Sequence, residues 1–154
     1  MNKIFLALLA FIILSSSCQK DDHSNEIAYI VFGTYSGLCN GSENCIETYK
    51  LTPTELSEDS NDFYPCKAPY QFVLRSNSDF NQASPIQTAF SDEMFDLPDS
   101  TFGCPDCLDQ GGMYIKIKKN NQIHKWHLDQ IKANIPEVFH PIHDEINIVI
   151  NQLL

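Results

Sequence analysis

Residues 113–128 have the sequence MYIKIKKNNQIHKWHL and carry the clearest structural signal in the chain. Apolar and polar residues alternate from Met113 to Lys118 and again from Ile123 to Leu128, which is the period of a half-buried β-strand. Asn120 and Asn121 separate the two runs, and such pairs favour the tight turn of a hairpin. The stretch therefore predicts an antiparallel β-hairpin.

Three more strands are expected before this hairpin. Residues 27–35 (IAYIVFGTY) are rich in β-branched and aromatic side chains, residues 46–51 (IETYKL) alternate in polarity, and residues 70–74 (YQFVL) form another apolar run. Residues 53–62 have the composition of a loop or an edge strand, and residues 96–112 that of a loop. The sequence thus predicts about five strands.

The C-terminal region predicts the main helix. Apolar residues recur with helical spacing after Pro136, which suits the first position of a helix. Pro141 lies within this stripe, so we expect the helix to kink or split near His140. Ser78 is expected to cap a short helix that Pro85 interrupts. The predicted fold class is α+β, an antiparallel sheet of about five strands with the C-terminal amphipathic helix packed on one face.

The N-terminus has the pattern of an export leader. Lys3 precedes an unbroken apolar run of 11 residues, 4–14, which is too short to span a membrane. The following Leu14-Ser15-Ser16-Ser17-Cys18 resembles the lipobox of bacterial lipoproteins, although leucine lies one position earlier than is usual. The resemblance implies that residues 1–17 are a cleaved signal peptide and that Cys18 is lipidated.

Residues 18–26 then form a lipidated tether, and residues 27–154 a single domain. Gln19-Lys20-Asp21-Asp22 is similar to the tag that sends some lipoproteins to the outer cell surface. These resemblances imply a cell-envelope protein that is lipid-anchored to the outer membrane, with surface exposure as one alternative. Its first partner is therefore the membrane, through the N-terminal lipid.

The charge balance of the chain is strongly acidic. Ten basic and 20 acidic residues give a net charge of −10, and loss of Lys3 with the leader makes it 9 − 20 = −11. This balance argues against nucleic acid and against anionic headgroups as partners. It favours a solvated surface, cations or basic partners.

Five cysteines follow Cys18, an odd number in an exported protein. Cys39 and Cys45 flank a turn-forming loop, and Cys104 and Cys107 lie in another loop. All four are candidates for disulfides, because export implies an oxidising compartment. The sequence leaves the connectivity open, and Cys66 is the candidate for a free thiol.

Chemically active interpretations of the Cys104-Pro105-Asp106-Cys107 loop are weaker. A redox dithiol would need a helix after the first cysteine, whereas a strand follows here. A zinc site would join Cys104 and Cys107 to Cys39 and Cys45, whose five-residue gap is wide for this purpose. His140 and His143 are expected to be exposed or to flank the C-terminal helix.

The body of the chain is similar to small bacterial lipoproteins in three places: Gly37-Leu38-Cys39, residues 103–107 and the helix after Pro136. The resemblance implies an architecture and no mechanism. We expect a non-enzymatic, lipid-anchored domain, stabilised by disulfides, that binds a protein, peptide or glycan and neither nucleic acid nor a cofactor. The alternative is an extracytoplasmic thiol or zinc site built from Cys39, Cys45, Cys104 and Cys107.

Overall fold

The structure is a computed structural model that describes residues 26–37, 45–61 and 69–154. Its strands are β1 (Ile27–Tyr35), β2 (Ile46–Leu51), β3 (Leu56–Asp59), β4 (Phe72–Leu74), β5 (Ser100–Phe102), β6 (Gly112–Lys119) and β7 (Gln122–Asp129). The α-helices in these ranges are α1 (Asn77–Ala83) and α2 (His140–Leu153). Short 3₁₀ turns cover Ser84–Thr88, Asp92–Asp96, Lys132–Asn134 and Glu137–Phe139.

The strands form one sheet in the order β4-β3-β2-β1-β6-β7-β5. All neighbours are antiparallel except β5 and β7, which run parallel. The predicted hairpin is confirmed as β6 and β7, and the positive φ angles of Asn120 and Asn121 make its turn. The α+β class is therefore confirmed, with seven strands rather than about five.

Of the two additional strands, β5 lies where the sequence predicts a loop, and β3 lies within residues 53–62, predicted as a loop or an edge strand. β3 has the sequence LSED and β5 the sequence STF, both short and mostly polar. β5 pairs in parallel with β7, about 25 residues further along the chain, so local sequence carries no signal of the pairing. β4 also begins two residues later than predicted, at Phe72.

Pro85 and Pro141 interrupt the helices as predicted, whereas the cap of the short helix differs from the prediction. Pro141 lies in the first turn of α2, where a proline leaves no intrahelical hydrogen bond unmade. The helical region is therefore split near His140, one of the two expected alternatives, because Glu137–Phe139 forms a separate 3₁₀ turn before α2 begins at His140. Ser76, rather than Ser78, caps α1 by accepting the Asp79 N–H at 3.2 Å.

The main core lies between the sheet and the helices. Ile30 and Phe32 of β1 are fully buried with the Trp126 ring of β7, whose indole N–H donates to the Pro98 carbonyl at 3.1 Å. The apolar side of α2 packs on this face through Ile142, Ile146, Val149, Ile150 and Leu153. Both described helices therefore cover the same side of the sheet, as the sequence predicts for α2.

Candidate functional site

The loop between β5 and β6 contains the clearest covalent feature. Cys104 and Cys107 form a disulfide, with their Cα atoms 5.5 Å apart. The Cys107 N–H also donates to the Cys104 carbonyl at 3.3 Å, which closes a tight turn. The interpretation of this motif as a disulfide-stapled loop is confirmed for this pair.

Asp106 joins this loop to the end of β1. Its Oδ1 accepts the N–H of Gly37 at 2.9 Å and the N–H of Gly111 at 3.2 Å. Its own N–H donates to the Gly111 carbonyl at 2.8 Å. The loop that follows β1 and the loop with the 104–107 disulfide therefore meet at this carboxylate.

The remaining predicted cysteines have different outcomes. Cys45 is disulfide-bonded, whereas Cys18, Cys39 and Cys66 lie outside the described residues. The described part of the chain contains no group of three or more His, Cys, Asp or Glu side chains that could hold a metal ion. Zinc binding through thiolates of Cys45, Cys104 and Cys107 would require these disulfides to be reduced first, so the zinc alternative stays a hypothesis about the reduced protein.

Asp129, at the end of β7, holds the same loop from the other side. Its buried carboxylate accepts hydrogen bonds from the Cys104 N–H at 2.9 Å, the Ile131 N–H at 2.8 Å and the Asn134 side-chain amide at 2.8 Å. Burial works to raise the pKa of Asp129, but these hydrogen bonds outweigh it and lower the pKa below the usual value for aspartate. Gly103 has φ +74° and a Cβ there would lie 2.5 Å from the Asp129 Cβ, so glycine is required beside it.

His143 is buried, and the expectation that it is exposed or flanks the helix is wrong. The residue is only 4% exposed on α2, and no hydrogen-bond partner of its Nε2 is found among the described residues. Burial lowers its pKa, against the opposing effect of Asp144, whose Oδ1 lies 3.9 Å from Nδ1. Helical spacing places residue 143 on the same side as Ile142 and Ile146, which the flanking polar residues obscured.

A small cavity of about 120 Å³ lies at the turn of the β6–β7 hairpin. His124, which stacks on Trp126 with ring centroids 5.6 Å apart, forms part of its wall. The Lys119 ammonium pairs with Asp92 beside it and lies 4.4 Å from the Phe95 ring centroid. The volume corresponds to only a few water molecules, so the cavity does not define a substrate site.

The face of the sheet opposite the helices carries a cluster of basic side chains, which we call the lysine face: Lys50, Lys116, Lys118 and Lys125. The strand register places them together. Lys50 and Lys116 lie on either side of Val31, Lys125 is directly opposite Lys116, and Lys118 is opposite Tyr29. Because strands are about 4.8 Å apart, the cluster spans only about 15 Å from β2 to β7.

The four ammonium groups are not neutralised by ion pairs within the described ranges. The ion pairs found there involve Arg75, Lys119, Lys132 and two histidines instead. Lys50 and Lys116 lie 5.6 Å and 5.9 Å from the centroid of the Tyr29 ring. Lys116 and Lys125 are like charges directly across a strand pair, an arrangement that destabilises a sheet.

Sequence reasoning treated charge as a total and so missed this cluster. The alternation of MYIKIKK and QIHKWHL does place Lys116, Lys118 and Lys125 on one face. Lys50 joins them only through the order of the strands in the sheet, which the sequence did not provide. The available signal was the alternating pair Lys116 and Lys118 in the first half of the hairpin, together with Lys125 in the second half.

Comparison with protein families and with curated proteins found no match for this chain. No helix in the described ranges is long and apolar enough to cross a membrane. The arguments about function therefore rest on this chain's own residues.

Proposed function

We propose that this protein is a lipid-anchored cell-envelope domain that binds an anionic partner through the lysine face and is not an enzyme. The observation that carries the proposal is the clustering of four lysines, free of ion pairs among the described residues, on one sheet face of a chain with net charge −10. Close like charges lower stability unless a counter-charge neutralises them. A bound anion supplies that counter-charge.

The anchor in this proposal is supported by the N-terminal sequence. Residues 4–14 are apolar, Ser15 to Ser17 are small, and Cys18 follows at the position where a lipobox cysteine would be acylated. The Cys104–Cys107 disulfide agrees with an oxidising compartment outside the cytoplasm. Acyl chains hold a protein at a membrane without any hydrophobic binding surface of its own.

Binding rather than catalysis is proposed because several of the buried or paired titratable groups hold the fold together. Asp129 and Asp106 accept backbone hydrogen bonds from the loops. Arg75 joins Glu58 to Asp79 by bonds of 2.7 Å and 2.9 Å, between β3 and α1. Tyr49 donates to Glu47 in the core, and burial, followed by Glu47 and Glu58, raises its pKa far above the usual value.

The anchor is tested by cell fractionation. The wild-type protein should remain with membranes and show the mass of an acylated Cys18 peptide. Cys18→Ala should release the protein into the soluble fraction of the envelope. Retention of the Cys18→Ala variant on membranes would contradict lipid anchoring.

The anion-binding surface is tested by chromatography of the detergent-solubilised protein on a cation exchanger near neutral pH. A chain of pI about 4.7 should flow through unless a local basic surface binds. We expect retarded elution at about 0.1 M salt, where a Debye length of about 10 Å screens the distant acidic residues. Lys116→Glu with Lys125→Glu should abolish the retardation, and Lys132→Glu, a lysine paired with Asp144, should not. Passage of the wild-type protein in the void volume would overturn this part of the proposal.

A further inference from the structure

We propose that the lysine face rests on the anionic headgroups of the same membrane that holds the N-terminal lipid. The inference deepens the proposed function and rests on it, because it identifies the anionic partner and needs the anchor. It depends on where the lysines lie relative to the point at which the chain enters the sheet.

All four lysines lie near the N-terminal half of β1. Tyr29, opposite Lys118, and Val31, between Lys50 and Lys116, are two and four residues from Ile27, where β1 begins. Four residues of strand cover about 13 Å. Residues 19–26 join Cys18 to Ile27, and eight residues extend to at most about 28 Å. A lipid on Cys18 would therefore hold this part of the sheet close to the membrane surface.

The row of side chains across the sheet near the start of β1 has a composition typical of the membrane–water interface. Tyr29, Lys118 and Ile123 lie side by side on β1, β6 and β7. Tyrosine is enriched at the headgroup level of membranes, and lysine extends an apolar stem with its charge at the polar end. Ile123 is 45% exposed, and an exposed aliphatic side chain gains from contact with lipid but little from a hydrated polysaccharide. This composition favours a lipid surface over an acidic glycan.

The net negative charge of the chain does not exclude this contact. At physiological salt the Debye length is about 8 Å, so charges on the far side of the domain are largely screened from the membrane. One lysine close to an anionic leaflet strengthens binding about fivefold. The lysine face as a whole then provides up to several hundredfold, and the tether adds a high effective concentration. The total charge argues against anionic headgroups as partners, whereas the local arrangement of the lysines favours them.

The test uses the full-length acylated protein reconstituted in vesicles of phosphatidylcholine alone or with phosphatidylglycerol. A soluble amine-acylating reagent is added, and mass spectrometry gives the modification rate of each lysine. We expect Lys50, Lys116, Lys118 and Lys125 to react about fivefold more slowly on the anionic vesicles than on phosphatidylcholine alone. Lys132 should react equally on both, and about 0.5 M salt should remove the difference.

Charge reversal separates docking from a general effect of the vesicles. With Lys116→Glu and Lys125→Glu combined, the protection of Lys50 and Lys118 should disappear. Lys132→Glu is the matched control, because it reverses one exposed charge away from the lysine face, and it should leave the protection intact. Far-UV circular dichroism of each variant verifies that the fold is retained.

Three outcomes would overturn the inference. Equal lysine reactivity on both vesicles, with retention on the cation exchanger unchanged, would refute the lipid partner and leave the proposed anion-binding function standing. Protection by polygalacturonate on phosphatidylcholine vesicles, without protection by phosphatidylglycerol, would assign the face to an acidic polysaccharide. A Cys18 peptide without acyl mass would refute the anchor, and this inference with it.

Discussion

Removal of the Asp129 carboxylate is the sharpest perturbation of the loop that carries the disulfide. Asp129→Ala takes the acceptor away from three donors: the backbone N–H groups of Cys104 and Ile131 and the side-chain amide of Asn134. The carboxylate is fully buried, so the variant also leaves a space lined by these donors. The 103–111 loop should then lose its attachment to the end of β7.

The expected size of the effect follows from these contacts. A hydrogen bond to a charged group contributes about 1.5–3 kcal/mol, and bonds to one carboxylate are not additive. Cys104 is exposed, so water can satisfy its N–H in the variant. We therefore expect a loss of about 3 kcal/mol, which lowers Tm by about 10 °C in a domain of this size. Asp129→Asn keeps one acceptor oxygen and should lose less.

Urea denaturation followed by Trp126 fluorescence measures the loss. Asp92→Ala is the control, because its 82% exposed side chain makes a surface ion pair worth less than about 1 kcal/mol. A second readout is pH: a carboxyl whose pKa is lower in the folded protein stabilises it above about pH 4, and that contribution disappears as pH falls through the folded-state pKa. If Asp129→Ala were no less stable than Asp92→Ala, or kept the wild-type acid dependence, Asp129 would not be what holds the loop.

Three further predictions concern charge, pH and redox state. Lys125→Glu should raise stability by about 0.5–1 kcal/mol while it weakens anion binding, because it faces Lys116 across the strands; a lower urea midpoint would contradict the assigned repulsion. Acidification from about pH 7.5 to about 5.5 should lower the free energy of unfolding, because burial lowers the pKa of His143 and the unfolded chain takes up the proton near pH 6.5. His143→Gln should reduce the slope of the unfolding free energy against pH, measured from denaturation curves. An unchanged slope would exclude His143 as its source. Reduction of the Cys104–Cys107 disulfide should lower the free energy of unfolding by about 2 kcal/mol, the chain entropy of a four-residue loop. The variant with both cysteines replaced by serine should lose as much stability without reductant. A wild-type urea midpoint for that variant would refute a stabilising role of the disulfide.

Local patterns predicted the central strands and the hairpin correctly. β1 and β2 begin and end where the composition indicated, because their side chains alternate between two packed environments. The Asn120–Asn121 turn was predictable because asparagine is one of the few residues that adopt positive φ readily. The stapled CPDC loop followed from the close spacing of its cysteines and the compartment that the leader implies.

Other features depend on contacts that no local pattern contains. β3 and β5 are strands because a neighbouring strand offers free hydrogen-bonding groups, although their own residues are mostly polar. Asp129 was not predicted as a functional or structural centre, because its three partners come together only after the sheet and the 131–134 segment have folded. His143 was assigned to the surface because the sequence does not show which side of α2 packs against the sheet.

The sequence by itself determined the disulfide-prone loop, the α+β class and the total charge, since each is a property of composition or short-range spacing, and it predicts a lipobox-like leader for the same reason. The tertiary structure decided where the charge is concentrated. Lys50 and Lys116 are 66 residues apart in the chain, yet both flank Val31 because β2 and β6 pair with opposite edges of β1. The lysine face therefore exists only through strand order, because electrostatic interactions depend on distance in space and not on separation along the chain.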